Sequence, residues 1–163
     1  MSSMTAVAKD LAFVPMRASL GATMLYHGLA KLRGEGAKQT AEMFEGLGFK
    51  PGSTWATLTG AAEVFGGATA IMGIGTRIGA LAVIATQAMA IAKVHASKGF
   101  SNLSGGFEFN LALMAMAAAL LTAGPGRVSA HELLEHRLER GWRRWVLAPR
   151  RQAGALGLVK LLK

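Results

Sequence analysis

The chain contains no cysteine among its 163 residues. That absence excludes a disulfide, a thiolate metal site and a dithiol relay, and with them the quinone-linked disulfide-forming membrane enzymes that also use four-helix bundles. Charge is scarce too: Asp, Glu, Lys and Arg make up 17% of the chain, where soluble domains carry about 25%. No Gly-Lys-Ser/Thr sequence occurs, so Gly34-Glu35-Gly36 and Gly124-Pro125-Gly126 are turns and not phosphate loops. No Glu-x-x-His pair offers a local metal-ligand motif. No inverted repeat is detectable, which argues against a stand-alone transporter.

What is present is apolar and small: 52% hydrophobic residues with 21 Gly and 9 Met. The formal charge of +9 would suit nucleic acid, but half of the eighteen Lys and Arg lie at or beyond Arg127, where the chain also turns amphipathic. That placement predicts an anionic lipid surface as partner and no nucleic acid.

Four apolar stretches stand out, at about 13–32, 54–72, 76–95 and 108–123. Pro15 fits the first turn of the first, and the absence of a convincing cleavage site after it reads as an uncleaved signal-anchor. At about 1.5 Å per residue, a 19-residue helix covers roughly 28 Å of a bilayer core of about 30 Å. The expected fold is therefore all-α, a four-transmembrane-helix bundle (residues 1–128) with an outer loop helix and a basic amphipathic tail (129–163). An even number of spans puts both termini on one side. Lys9, Arg77 and the nine basic residues from Arg127 onward, against six in the opposite loops, make that side cytoplasmic.

Helical phase sorts the polar residues. Arg17, Gly21, Met24, Gly28 and Lys31 form one stripe; Thr59, Gly60, Glu63, Gly66, Gly67 and Ala70 form another. In the fourth span Ala112, Ala115, Ala119 and Thr122 share a face with Glu108, while Leu113, Leu120 and Leu121 point elsewhere. Small residues let helices approach closely and bulky ones face lipid, so the small faces should point inward.

Arg17 with Tyr26-His27-Gly28-x-x-Lys31, Glu63-x-x-Gly66-Gly67, Gly73-x-x-Thr76-Arg77, His95, Gly106-x-Glu108 and Gly124-Pro125-Gly126-x-x-Ser129 occur in an order and spacing that resemble the DoxX family of small four-helix membrane proteins. The resemblance runs from about Val14 to Ser129. It implies an inner-membrane protein linked to redox chemistry, since similar proteins include a subunit of a thiosulfate:quinone oxidoreductase and partners of a superoxide dismutase and a sulfurtransferase. Without cysteine this chain cannot carry a sulfur relay on its own thiols.

The candidate ligand pocket comprises Glu63, His27, Lys31, His95, Glu108, Arg17 and Arg77. Glu63, at mid-depth, is either a structural ion pair with Arg17 or Arg77 or a proton-accepting carboxylate. His27 and His95 admit three readings: axial ligands of a b-type haem, metal ligands with Glu108, or a hydrogen-bonded cluster with Lys31 and Glu108 at the outer mouth. The last is expected, with no metal, and would admit a quinone head group. Met43, Phe44 and Leu47, in the 35–53 segment, read as interfacial packing rather than a binding box. In the tail, Ser129-x-x-Glu132 forms a capping box for a helix with Leu134, Leu138, Trp142 and Trp145 on one face, lying on lipid or docking a soluble enzyme.

These features predict an auxiliary or anchoring subunit of a quinone-linked redox complex, not an enzyme by itself, with a redox enzyme partner or a homo-oligomer as its assembly. The rivals are a proton-linked carrier and a purely structural bundle.

Overall fold

A computed structural model of the chain describes residues 11–131, and all of its regular structure there is helical. The tail helix expected beyond His131 lies outside the described residues. Five α-helices follow one another: α1 (Phe13–Leu32), α2 (Gly34–Gly46), α3 (Gly52–Met72), α4 (Thr76–Ala90) and α5 (Glu108–Ala123). α4 widens into a π turn, Ile91–His95, and then tightens into a 3-10 turn, Ala96–Lys98. α1 packs on α3, α3 on α4 and α4 on α5, while α5 returns to touch α1 and α2 lies against α3.

Among the described residues one continuous helix, Thr76–Lys98, is by length and composition long and apolar enough to cross a membrane, and Glu108–Ala123 is apolar but shorter. α1 and α3 have the length, but their charges, glycines and threonines lower their hydropathy. Pro15 falls in the first turn of α1, where its missing N–H costs no hydrogen bond. The α3–α4 turn is tight because Gly73 and Gly75 take φ of 71° and 62°, a region that a side chain disfavours. The Gly73 N–H closes α3 by donating to Thr69 O at 2.9 Å.

The central seam is made of glycine. A Cβ on Gly28 would stand 2.8 Å from Gly60 O, and one on Gly67 would stand 2.8 Å from Gly21 O, so α1 and α3 touch backbone to backbone at two places. The facing pairs, 28 with 60 and 21 with 67, run in opposite directions, which fixes α1 and α3 as antiparallel. Gly66, next in sequence, turns to α4, where a Cβ would meet Val83 Cγ2 at 2.6 Å and Gly79 O at 3.0 Å. We expect Gly28→Ala to cost about 1–3 kcal/mol, because the obstacle is backbone and cannot rotate away. Gly46→Ala, where a Cβ meets nothing within 4 Å, should be neutral or stabilise by about 0.5–1 kcal/mol. Thermal unfolding of both variants in the same detergent measures the contrast.

The core around these seams holds Leu20, Met24, Ala70, Ala80, Val83, Leu113, Ala117 and Leu120. α5 departs from the expected pattern: its buried face is Asn110, Leu113, Ala117 and Leu120, while Ala112, Ala115 and Thr122 are exposed. The reason is steric. α4 brings the small Ala80 and Val83 to the same core, and leucine from α5 fills the space that a small face would leave empty.

Candidate functional site

The sequence-predicted residues separate into two ends of the bundle. At one end α1 finishes with Lys31, whose Nζ donates to Glu63 Oε2 at 2.7 Å and to His27 O at 3.3 Å. Glu63 is 4% exposed, and the Lys31 side chain is 22% exposed. The antiparallel seam explains the pairing. Gly28 stands level with Gly60, and side chains lean toward the N-terminus of their own helix, so Lys31 leans back toward this level and Glu63 leans to meet it.

His95, on the π turn, has Nδ1 2.6 Å from Gly105 O. A carbonyl only accepts, so Nδ1 is the nitrogen that donates in this contact. His27 has no such anchor among the described residues; its ring lies edge-on to Tyr26 at 5.4 Å and tilted toward Phe109 at 6.2 Å. The two histidines thus lack the matching hydrogen bonds that hold paired axial ligands. Glu108 is not in the cluster expected at the mouth: it is exposed, and its Oε2 accepts the backbone N–H of Asn102 at 3.0 Å, closing the loop before α5. Among the described residues no group of three or more His, Asp or Glu gathers as a metal site.

At the other end Arg17 is 5% exposed and spends its guanidinium on backbone carbonyls. Nε donates to Ala70 O at 2.8 Å, Nη2 to Ile71 O at 2.6 Å, and Nη1 to Pro125 O at 3.1 Å and Val128 O at 2.5 Å. These are carbonyls that the end of α3 and the loop after α5 would otherwise leave orphaned. Arg17 stands level with Ile71, eight residues or roughly 12 Å along α3 from Glu63, so it is not the partner expected for that carboxylate. Arg77 is half-buried at the start of α4 with Nε lacking a hydrogen bond, and it does not reach Glu63 either.

The first end encloses a cavity of about 330 Å³ lined by His27, Lys31, Glu63 and His95, together with residues that charge and motif reading passed over. Gln87 and Asn110, both buried, face each other across α4 and α5, with Asn110 Nδ2 donating to Gln87 Oε1 at 2.9 Å. The signal for them was available as uncharged amides within apolar stretches. Met43, Phe44 and Leu47 of the α2 segment also line the cavity, with Phe44 buried. Glu45 fixes that segment by accepting the Gly52 N–H at 3.2 Å, at the N-terminus of α3 where a carboxylate is favoured.

Fold and cavity together define a helical bundle closed by an arginine at one end and hollowed at the other into a mostly apolar cavity with a few polar groups in its wall. The chain belongs to the DoxX family, whose model matches residues 12–96, and DoxX proteins are in general membrane proteins. The match takes in α1 to the end of the π turn; Glu108 and Gly124-Pro125-Gly126 lie beyond it. No curated protein and no solved structure matches the chain.

Proposed function

We propose that this is a multi-pass inner-membrane subunit whose cavity holds the ring of a quinone for an associated redox complex. The observation that carries the reading is the cavity itself. Its walls combine apolar side chains, Met43, Phe44, Leu47, Val94 and Leu113, with a few convergent polar groups, Lys31, Glu63, Gln87, His95 and Asn110. That is the makeup of a small-ligand site, and about 330 Å³ lies at the small end of such sites, suited to a head group. Exposed His27, Met89 and Lys93 among its walls leave a way out for a tail. The residues present fit a quinone: Lys31 and Gln87 supply donors for carbonyl oxygens, and Asn110 holds Gln87.

In this reading α1, α3, α4 and α5 are four membrane spans. Leu58, Phe65, Ile78, Leu81 and Leu111 are exposed while glycine and alanine are buried, the inversion expected where lipid surrounds a bundle. Arg17 supports it too, since a charge within a membrane must find polar partners, and its partners are backbone carbonyls. Residues 1–128 would form the membrane domain and 129–163 a basic tail on the cytoplasmic leaflet, with both termini on that side. A carrier would need both ends to open, and the Arg17 clamp across α3 and the 125–128 loop favours a binding subunit instead.

Purified protein in mild detergent should release quinone into organic solvent, and added decylubiquinone should bind at one site per chain. Absence of both retained and added quinone sinks the reading.

A further inference from the structure

Gln87 is 5% exposed, yet its amide N–H group meets only a thioether: Nε2 lies 3.8 Å from Met24 Sδ. Sulfur of this kind is a weak acceptor, and a buried amide donor is normally matched to oxygen. Asn110 explains the orientation. Its Nδ2 donates to Gln87 Oε1 at 2.9 Å, which turns the Gln87 NH2 toward Met24. The opposite orientation would set an amide oxygen against the sulfur, two acceptors facing one another. Asn110 Oδ1 in turn accepts no hydrogen bond among the described residues, although Asn110 is 8% exposed. A weakly used donor and an unused acceptor therefore belong to two hydrogen-bonded residues that both line the cavity.

We infer that the Gln87–Asn110 pair is the element that reads the oxygen of the cavity's ligand. It donates to a carbonyl through Gln87 and accepts from a hydroxyl through Asn110. One amide pair then serves a ring ligand in its carbonyl and hydroxyl forms without moving. Lys31, also on the cavity wall, is tied to Glu63 and His27 O. Phe44 and Leu113 supply the apolar contact for the ring. Asn110 acts on the carbonyl form only through Gln87, by holding its oxygen, and is there a positioning residue. The inference rests on the quinone reading above and deepens it by naming which side chains select the ligand's oxygen.

The test uses the full chain in detergent with decylubiquinone, decylubiquinol and decylbenzene, the last without any oxygen. Gln87→Leu should weaken decylubiquinone about tenfold, the loss of one buried hydrogen bond, and should leave decylbenzene unchanged. The infrared carbonyl stretch of bound decylubiquinone should lie below its value in detergent alone, and Gln87→Leu should return it toward that value. A purely structural Gln87 would not move that band. Met24→Leu, which conserves volume, should leave quinone affinity within about twofold, because sulfur is not the functional partner. Where leucine at position 87 does not fold, Gln87→Met takes its place.

Unchanged affinity and band position in a folded position-87 variant overturn the inference. The quinone reading then stands if Leu113→Trp, which fills the chamber, still abolishes binding. No binding of either quinone form to the wild type overturns both.

Discussion

Arg17→Met is expected to be the most damaging single substitution in the described residues, with a loss of about 3–5 kcal/mol. The native guanidinium donates to four carbonyls, Ala70 O, Ile71 O, Pro125 O and Val128 O. Methionine matches the length and packs well but donates nothing, so the last turn of α3 and the loop after α5 lose their shared partner. Hydrogen bonds from a charged donor are each worth about 1.5–3 kcal/mol, and their sum is reduced by relaxation of the 124–129 loop toward water. Arg17→Lys should recover only part of the loss, since one ammonium on a flexible stem cannot span four carbonyls on two elements as a planar fork does. Thermal unfolding in detergent ranks the three proteins. A second readout is local: with the clamp gone, protease should cut near Arg127 at a rate higher than in the native protein. An Arg17→Met protein within about 1 kcal/mol of the parent and equally resistant at Arg127 would mean that the clamp contributes little.

The α1 stripe of Arg17, Gly21, Met24, Gly28 and Lys31 and the α3 stripe of Thr59, Gly60, Glu63, Gly66, Gly67 and Ala70 are legible from helical phase alone, and all but the half-buried Lys31 and Thr59 are buried in the structure. They are legible because each carries a run of glycine at helical spacing, a residue with no reason to recur there except close approach. The α5 face is not legible for the complementary reason. Its alanines recur at the same spacing, but alanine is a good helix former anywhere and marks no particular side. Asn110, the polar residue that does mark the inward side, was passed over.

The partner of Glu63 was not legible because it depends on the register between two helices. Sequence depth grouped Glu63 with Arg17 and Arg77 as much as with Lys31. Only the level of Gly28 against Gly60 decides that Lys31 meets it while Arg17 caps carbonyls a full two turns away. The cavity was likewise half-legible. Lys31, His27 and His95 were expected near one mouth, but the α2 wall and the amide pair come from elements that packing brings in from elsewhere along the chain.

Register also sets the second large effect, an asymmetry between the two halves of the Lys31–Glu63 pair. Lys31→Met should cost about 3 kcal/mol, toward the low end of what removing one member of a buried pair costs. It leaves a carboxylate that is 4% exposed with no cation beside it. Glu63→Gln should cost only about 1 kcal/mol, because Lys31, with a side chain 22% exposed, can turn its ammonium toward water along its flexible stem. Replacing both, as Lys31→Met with Glu63→Gln, should restore stability to within about 1 kcal/mol of the native protein, since the isolated charge that makes the single Lys31 change costly is then gone. A double-mutant cycle on thermal unfolding in detergent extracts the coupling, expected at about 3 kcal/mol. If the two single changes cost the same, or the double variant falls by their sum, the two side chains do not act as a pair. Quinone binding then separates stability from use: the double variant, stable but without its ammonium at the chamber edge, should bind decylubiquinone less tightly than the native chain. Native affinity in that variant would leave Lys31 and Glu63 as a structural pair and shift the whole polar recognition to Gln87 and Asn110.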